Sequence, residues 1–147
     1  MNGYFAGAIS GVVGGLSIAA LGMAYGGATG RGLWALPNSI GGLILGPSRG
    51  GAKSFGVPTL VGAALHIVFS ALFGVIIVVL AQGVTHAYVA TGVVAGVALW
   101  LINYVGIGAI HAASREVAKL NPVPIALGLH ILFGSITSVI AVLILRS

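Results

Sequence analysis

Pro58-Thr59-Leu60-Val61-Gly62-Ala63-Ala64-Leu65-His66-Ile67-Val68-Phe69-Ser70-Ala71-Leu72-Phe73-Gly74-Val75-Ile76-Ile77-Val78-Val79-Leu80-Ala81 runs without one charged residue. A helix needs about 20 such residues to cross the hydrocarbon core of a bilayer. Water offers no stable place for an uninterrupted apolar helix of this length. The stretch therefore reads as a transmembrane helix, Thr59–Ala81, entered at Pro58, where a missing N–H costs nothing.

Outward from it, three more stretches have the same character: Tyr4–Tyr25, Tyr88–Ile110 and Val123–Leu145, the last entered at Pro122. Composition agrees. Of 147 residues, 59% are hydrophobic and 5% charged, and mean hydropathy is +1.18. Soluble domains carry roughly 25% charged residues, so a water-facing surface cannot be built here. The expectation is an all-α membrane protein, one transmembrane domain over 1–147, without a separate soluble domain. No cleavable signal peptide is expected, because no basic residue precedes the first span. Cysteine is absent, which excludes disulfides and thiolate metal sites.

The link Gln82–Ala87 is short enough for a tight antiparallel hairpin. The link between spans one and two, 26–58, is long and glycine-rich. Within it Leu33–Leu45 is apolar but interrupted by Pro37, Asn38, Gly41 and Gly42. That length suits a re-entrant or interfacial segment, with Trp34 at headgroup level. Arg31, Arg49, Lys53, Arg115 and Lys119 all fall in the two loops that share one side, and only Arg146 falls on the other. The positive-inside rule puts those loops in the cytoplasm and both termini outside. Arg49 and Lys53 are expected to hold lipid phosphates; the basic charge is matched to membrane lipid and not to nucleic acid.

The second and fourth spans resemble each other. With Pro58 on Pro122, Leu65-His66-Ile67 falls on Leu129-His130-Ile131, Phe69 on Phe133, Val75-Ile76 on Val139-Ile140 and Val78 on Val142. In the odd spans, Gly7 and Gly11 correspond in spacing to Gly92 and Gly96. The chain thus reads as two parallel two-helix repeats, the first carrying the loop insertion.

Four glycines, Gly3, Gly7, Gly11 and Gly15, recur every fourth residue and share one helix face, where another backbone can approach closely. Close packing is the ordinary use of such a face; a glycine-lined pore is the sharper one. His66 and His130 lie eight residues past their prolines, about 12 Å along the helix at 1.5 Å per residue. Each sits on a stripe of small residues: Gly62, Ser70 and Gly74 around His66, and Ala126, Gly134 and Ser138 around His130. Ionisable residues at that depth are costly and point to function. Three uses compete: a neutral interhelical hydrogen-bonder, an axial pair for a b-type haem, and part of a proton or ion path. His86 and His111 fall on opposite sides and form no second pair. Asn103, beside Tyr104, is a further intramembrane polar residue, expected to hydrogen-bond a neighbouring helix, with a substrate contact as the alternative.

The run Gly46–Ser54 mimics a phosphate-binding loop, but Ala52 separates its second glycine from Lys53, and no strand precedes it. Glu116 is the only carboxylate. No Ser–His–acid constellation can be assembled, so no catalysis is expected.

Helix one with its glycines, the motif Gly30-Arg31-Gly32-Leu33-Trp34-Ala35-Leu36-Pro37-Asn38 followed by Ser39-Ile40-Gly41-Gly42, and one histidine in each of helices two and four together resemble a group of bacterial four-helix inner-membrane proteins, the YagU-like type. That resemblance implies an architecture and the bacterial inner membrane, but no reaction. The expected function is a non-catalytic membrane subunit of a larger complex, respiratory or otherwise electron-transferring. It would hold no cofactor and have lipids, other membrane subunits or further copies of itself as partners. The alternatives are a small oligomeric transporter or channel whose path the histidines line, and a haem b-binding anchor.

Overall fold

The computed structural model describes residues 2–51, 53–107, 115 and 122–147. All regular structure among them is helical. Helix α1 runs Gly3–Ala28, α2 Ala35–Leu45, α3 Pro47–Gly50, α4 Val57–Leu80, α5 Tyr88–Trp100 and α6 Val123–Arg146. Two π-helical stretches extend this order: Ala81–Thr85 continues α4, and Leu101–Ile107 continues α5. Four helices are long and apolar enough to cross a membrane: Gly3–Ala28, Val57–Thr85, Tyr88–Gly106 and Val123–Arg146.

Local chemistry sets the ends. Asn2 caps α1, its Oδ1 accepting the Phe5 N–H at 2.9 Å, which satisfies one otherwise orphaned donor of the first turn. At the start of α4 the Gly56 carbonyl accepts the first helical N–H groups, and Thr59 Oγ1 reaches back to the Gly56 N–H at 3.0 Å. That return bond is one half of a capping box. Pro58 and Pro124 fall inside the first turns of their helices, where no intrahelical donor is required.

Three boundaries differ from the sequence reading. The hairpin Gln82–Ala87 is mostly helix, because the chain widens into a π turn and stops only at His86. His86 takes a left-handed conformation (φ 53°) and donates its N–H to Ala81 O at 2.8 Å. The third span is regular only to Trp100; beyond it the π-helical stretch carries Asn103 and Tyr104, and residues 108–110 lie outside the described residues. The segment 33–45 holds an uninterrupted helix, α2. Pro37 is its third residue, still within the first turn, so neither it nor Asn38 breaks the ladder. Gly46, at φ 92°, then turns the chain into α3, a conformation that glycine adopts without a Cβ penalty.

The chain forms two compact units. The first comprises Met1–Ile18, Ile67–Leu99 and Leu127–Ser147; the second, Ala19–His66 and Trp100–Ala126.

In the first unit, helices meet backbone to backbone. A Cβ placed on Gly7 would lie 2.7 Å from Val75 Cα, and one on Gly11 would lie 2.8 Å from Gly74 Cα. The order of these contacts makes α1 and α4 antiparallel. A Cβ on Gly14 would lie 2.6 Å from Thr137 Oγ1 of α6. On an adjoining face of α6, Gly92 abuts the Gly134 carbonyl and Ser138 Oγ, and Gly96 abuts the His130 carbonyl and Ile131. Ile77, Leu99 and Phe133 form the apolar centre, with Ile18, Phe73 and Ala95 packed on it. Outside this centre many large side chains point away from the seams: Phe5 and Leu16 on α1, Val68 and Leu72 on α4, Val94 on α5 and Leu143 on α6 are all exposed. Small residues at the helix seams and large apolar ones exposed on the outer faces is the arrangement expected where the surrounding solvent is itself apolar.

Candidate functional site

The second unit is built around Asn38, whose side chain is fully buried. Its Nδ2 donates to the Ser54 carbonyl at 2.9 Å, and its Oδ1 accepts from Thr59 Oγ1 at 2.5 Å. Thr59, 3% exposed, accepts in turn from Gly56. Next along α2, buried Ser39 donates its hydroxyl to Ala35 O at 2.8 Å, with Gly50 O of α3 at 3.4 Å as a second acceptor. One turn of α2 therefore holds the first turn of α4, the end of α3 and the strap between them.

Glycines allow the approach. Gly41 abuts the Pro58 carbonyl and Gly62 the Pro37 carbonyl, so α2 lies along the beginning of α4 with no side chain between the backbones. Buried amide and hydroxyl groups cost several kcal/mol in an apolar medium unless paired. Here the Asn38 and Thr59 side chains are paired with each other.

The same unit collects aromatic and cationic groups. Arg31 lies over the Tyr25 ring at 5.3 Å, with its Nη1 3.4 Å from the Tyr25 hydroxyl. Trp34 meets Phe55 edge to face at 5.1 Å. Trp100 stacks on Tyr104 at 6.1 Å, and its indole Nε1 is buried without a hydrogen-bond partner.

Of the residues singled out in the sequence, Gly3, Gly7 and Gly11 all face α4, Gly3 against the Gln82 side chain. Gly15 is buried on α1, and Gly92 and Gly96 form the seam with α6. His66 ends the first segment of the second unit, and His130 belongs to the first unit. Both are half-buried, and neither is without a partner. Asn103 is half-buried in the π-helical stretch. Arg49 and Lys53 are exposed. His111, Glu116 and Lys119 lie outside the described residues.

The small stripes flanking the histidines are occupied by protein. On α4, Gly62 receives α2 in the second unit, while Ser70 and Gly74 receive α1 in the first; on α6, Gly134 and Ser138 receive α5. No group of three or more His, Cys, Asp or Glu able to hold a metal occurs among the described residues.

Asn38 and Thr59 were not legible as a site. In the sequence Asn38 reads as an interruption of an apolar run. The overlooked signal is that Pro37-Asn38 fits the first turn of a helix, which leaves a polar side chain to be buried. Thr137 had no signal in the sequence, and Ser138 read only as a small residue of the His130 stripe; both are fully buried, with hydroxyls lacking a hydrogen-bond partner. Each hydroxyl lies against a glycine of a neighbouring helix, Gly14 and Gly92, where a weak Cα–H···O contact is available.

Fold and site define an all-helical protein with four helices suited to crossing a bilayer. No protein-family model matches the chain, and comparison with curated proteins and with solved structures gave no match either.

Proposed function

We propose that this chain is a non-catalytic, multi-pass subunit of the bacterial cytoplasmic membrane that packs within a larger membrane complex, a respiratory or other electron-transfer assembly first among them. The observation that carries this reading is the division of side chains in the first unit. Glycine and other small residues bring the helix backbones together around a small apolar centre, while many large apolar residues project outward, onto lipid or the helices of other subunits. The stripes beside His66 and His130 are filled by helix backbone, which supports a packing and hydrogen-bonding role for the histidines over an axial haem pair. The two loops bearing Arg31, Arg49, Lys53, Arg115 and Lys119 are assigned to the cytoplasm, and both termini to the outside, on their charge alone. The YagU-like resemblance supports the same architecture.

The duplication belongs to this proposal, with a changed register. Gly11 meets Ser70 and Gly74, and Gly92 meets Gly134 and Ser138. These partner pairs coincide when Pro58 is laid on Pro122. Contacts thus equate Gly11 with Gly92, one helical turn from the correspondence that spacing alone suggests.

A native gel of mildly solubilised membranes, followed by mass spectrometry of the band, tests the reading. Migration with other membrane subunits is expected. A band containing this chain alone, together with solute or ion movement in vesicles holding only this chain, would replace it with the transporter. One observation favours that second reading: α2 is a short helix with a buried polar turn, folded between two spans, as in proteins that carry solutes past broken helices.

A further inference from the structure

We infer that the α2–α3 segment is a docking surface for the phosphate of an anionic phospholipid, held by Arg49 and Lys53. The inference rests on the membrane reading of the fold and is independent of whether the chain is a subunit or a transporter.

Both cations are exposed, yet the residue that follows each is tied to α2 through its carbonyl. Arg49 precedes Gly50, whose missing Cβ lets α3 settle on α2: a Cβ there would lie 3.0 Å from Gly42 Cα. Lys53 precedes Ser54, whose carbonyl is held by Asn38, and the Lys53 stem lies against Gly32, with a Cβ on that glycine falling 3.4 Å from Lys53 Cβ. Adjacent residues of one buried turn, Asn38 and Ser39, therefore anchor both positions. A pair of cations on a braced strap loses less freedom on binding than the same pair on a free loop.

Charge supplies the choice of ligand. The only carboxylate in the chain is Glu116, so no acidic side chain among the described residues competes for this patch. An apolar flank completes it: Phe55 is 57% exposed beside half-buried Trp34, placed to enter the headgroup boundary while the cations meet phosphate. A free anion would use the cations and leave Phe55 in water; an anionic lipid uses both.

Trp34 makes the test direct, since Trp34 and Trp100 are the only tryptophans. The full chain with Trp100→Phe is placed in phosphatidylcholine vesicles holding a minority of phosphatidylglycerol, with bromine on the tails of one lipid or the other. Quenching of Trp34 by brominated phosphatidylglycerol above random mixing is expected. Removing either charge, as Arg49→Gln or Lys53→Gln, should weaken that preference about fivefold, and the double variant about 30-fold, the worth of roughly one basic residue each at a membrane surface. Parent quenching at the random level, or an enrichment unchanged in the double variant, overturns the inference. So does displacement by inorganic phosphate with the same charge dependence, which would mark a free-anion site. If neither brominated lipid quenches Trp34, the membrane reading itself fails at this segment. Should Trp100→Phe not fold, native mass spectrometry of the unmodified chain against Arg49→Gln/Lys53→Gln reads the same preference as retained phosphatidylglycerol.

Discussion

Gly74→Ala adds one methyl group where α1 and α4 meet backbone to backbone. Its Cβ would fall 2.5 Å from Gly11 Cα and 2.8 Å from Gly11 N. An ordinary carbon contact needs roughly 3.5–4.0 Å, and both neighbours are backbone, so no rotamer change can relieve the overlap. The helices must separate by about 1 Å. A gap of that size forfeits about a quarter to a half of each dispersion contact, and each contact is worth about 0.1–0.2 kcal/mol. For a seam on the order of 40 contacts the loss is about 1–4 kcal/mol, near the usual cost of overpacking. Gly128→Ala is the internal control: the same chemical change, on a helix, at a glycine with nothing within 4 Å. There only helix propensity acts, and alanine should stabilise by up to ~1 kcal/mol. Unfolding of both variants in mixed micelles of increasing SDS fraction, followed by far-ultraviolet circular dichroism, measures the difference. A Gly74→Ala protein as stable as the parent, or a Gly128→Ala protein destabilised as much as Gly74→Ala, would refute the account of the seam.

Asn38→Ala and Thr59→Ala should each destabilise the protein and couple in a double-mutant cycle by about 1 kcal/mol, the net worth of one buried hydrogen bond; additive effects would mean the two side chains do not depend on each other. Ser138→Ala removes a buried hydroxyl with no hydrogen-bond partner, so stability should stay within about 0.5 kcal/mol of the parent or rise, whereas Ser138→Val, facing Gly92, should lower it. His66→Leu and His130→Leu should leave a colourless purified protein and cost about 1–2 kcal/mol each, the scale of an interhelical hydrogen bond; an intense Soret band in the parent, lost in His130→Leu, would make the chain a haem protein. A cysteine placed at Ser48 in this cysteine-free chain should be protected from an impermeant thiol reagent in intact cells, and one at Ser147 labelled; the opposite pattern would invert the orientation drawn from Lys and Arg.

Four spans and their approximate limits were legible in the sequence because the bilayer sets a length, and an apolar run either meets it or does not. Residues 58–81 needed no neighbour to declare themselves. The glycine face Gly3–Gly7–Gly11 was legible for a similar reason: a four-residue period fixes one side of a helix, whatever packs there. What packs there was not legible. Only the tertiary structure decided that α1 gives Gly11 to Gly74 and Gly14 to Thr137, because in an apolar solvent the choice of partner depends on the fit of two surfaces and not on hydropathy. The same holds for Asn38. Its polarity could be read as a break in an apolar segment, and only the approach of α4, with Gly41 and Gly62 clearing the way and Thr59 facing it across 2.5 Å, turned it into the buried centre of the second unit. A single residue's character is local and written in the sequence; whether a buried polar group finds its partner is settled by residues far along the chain, which meet only when the helices do.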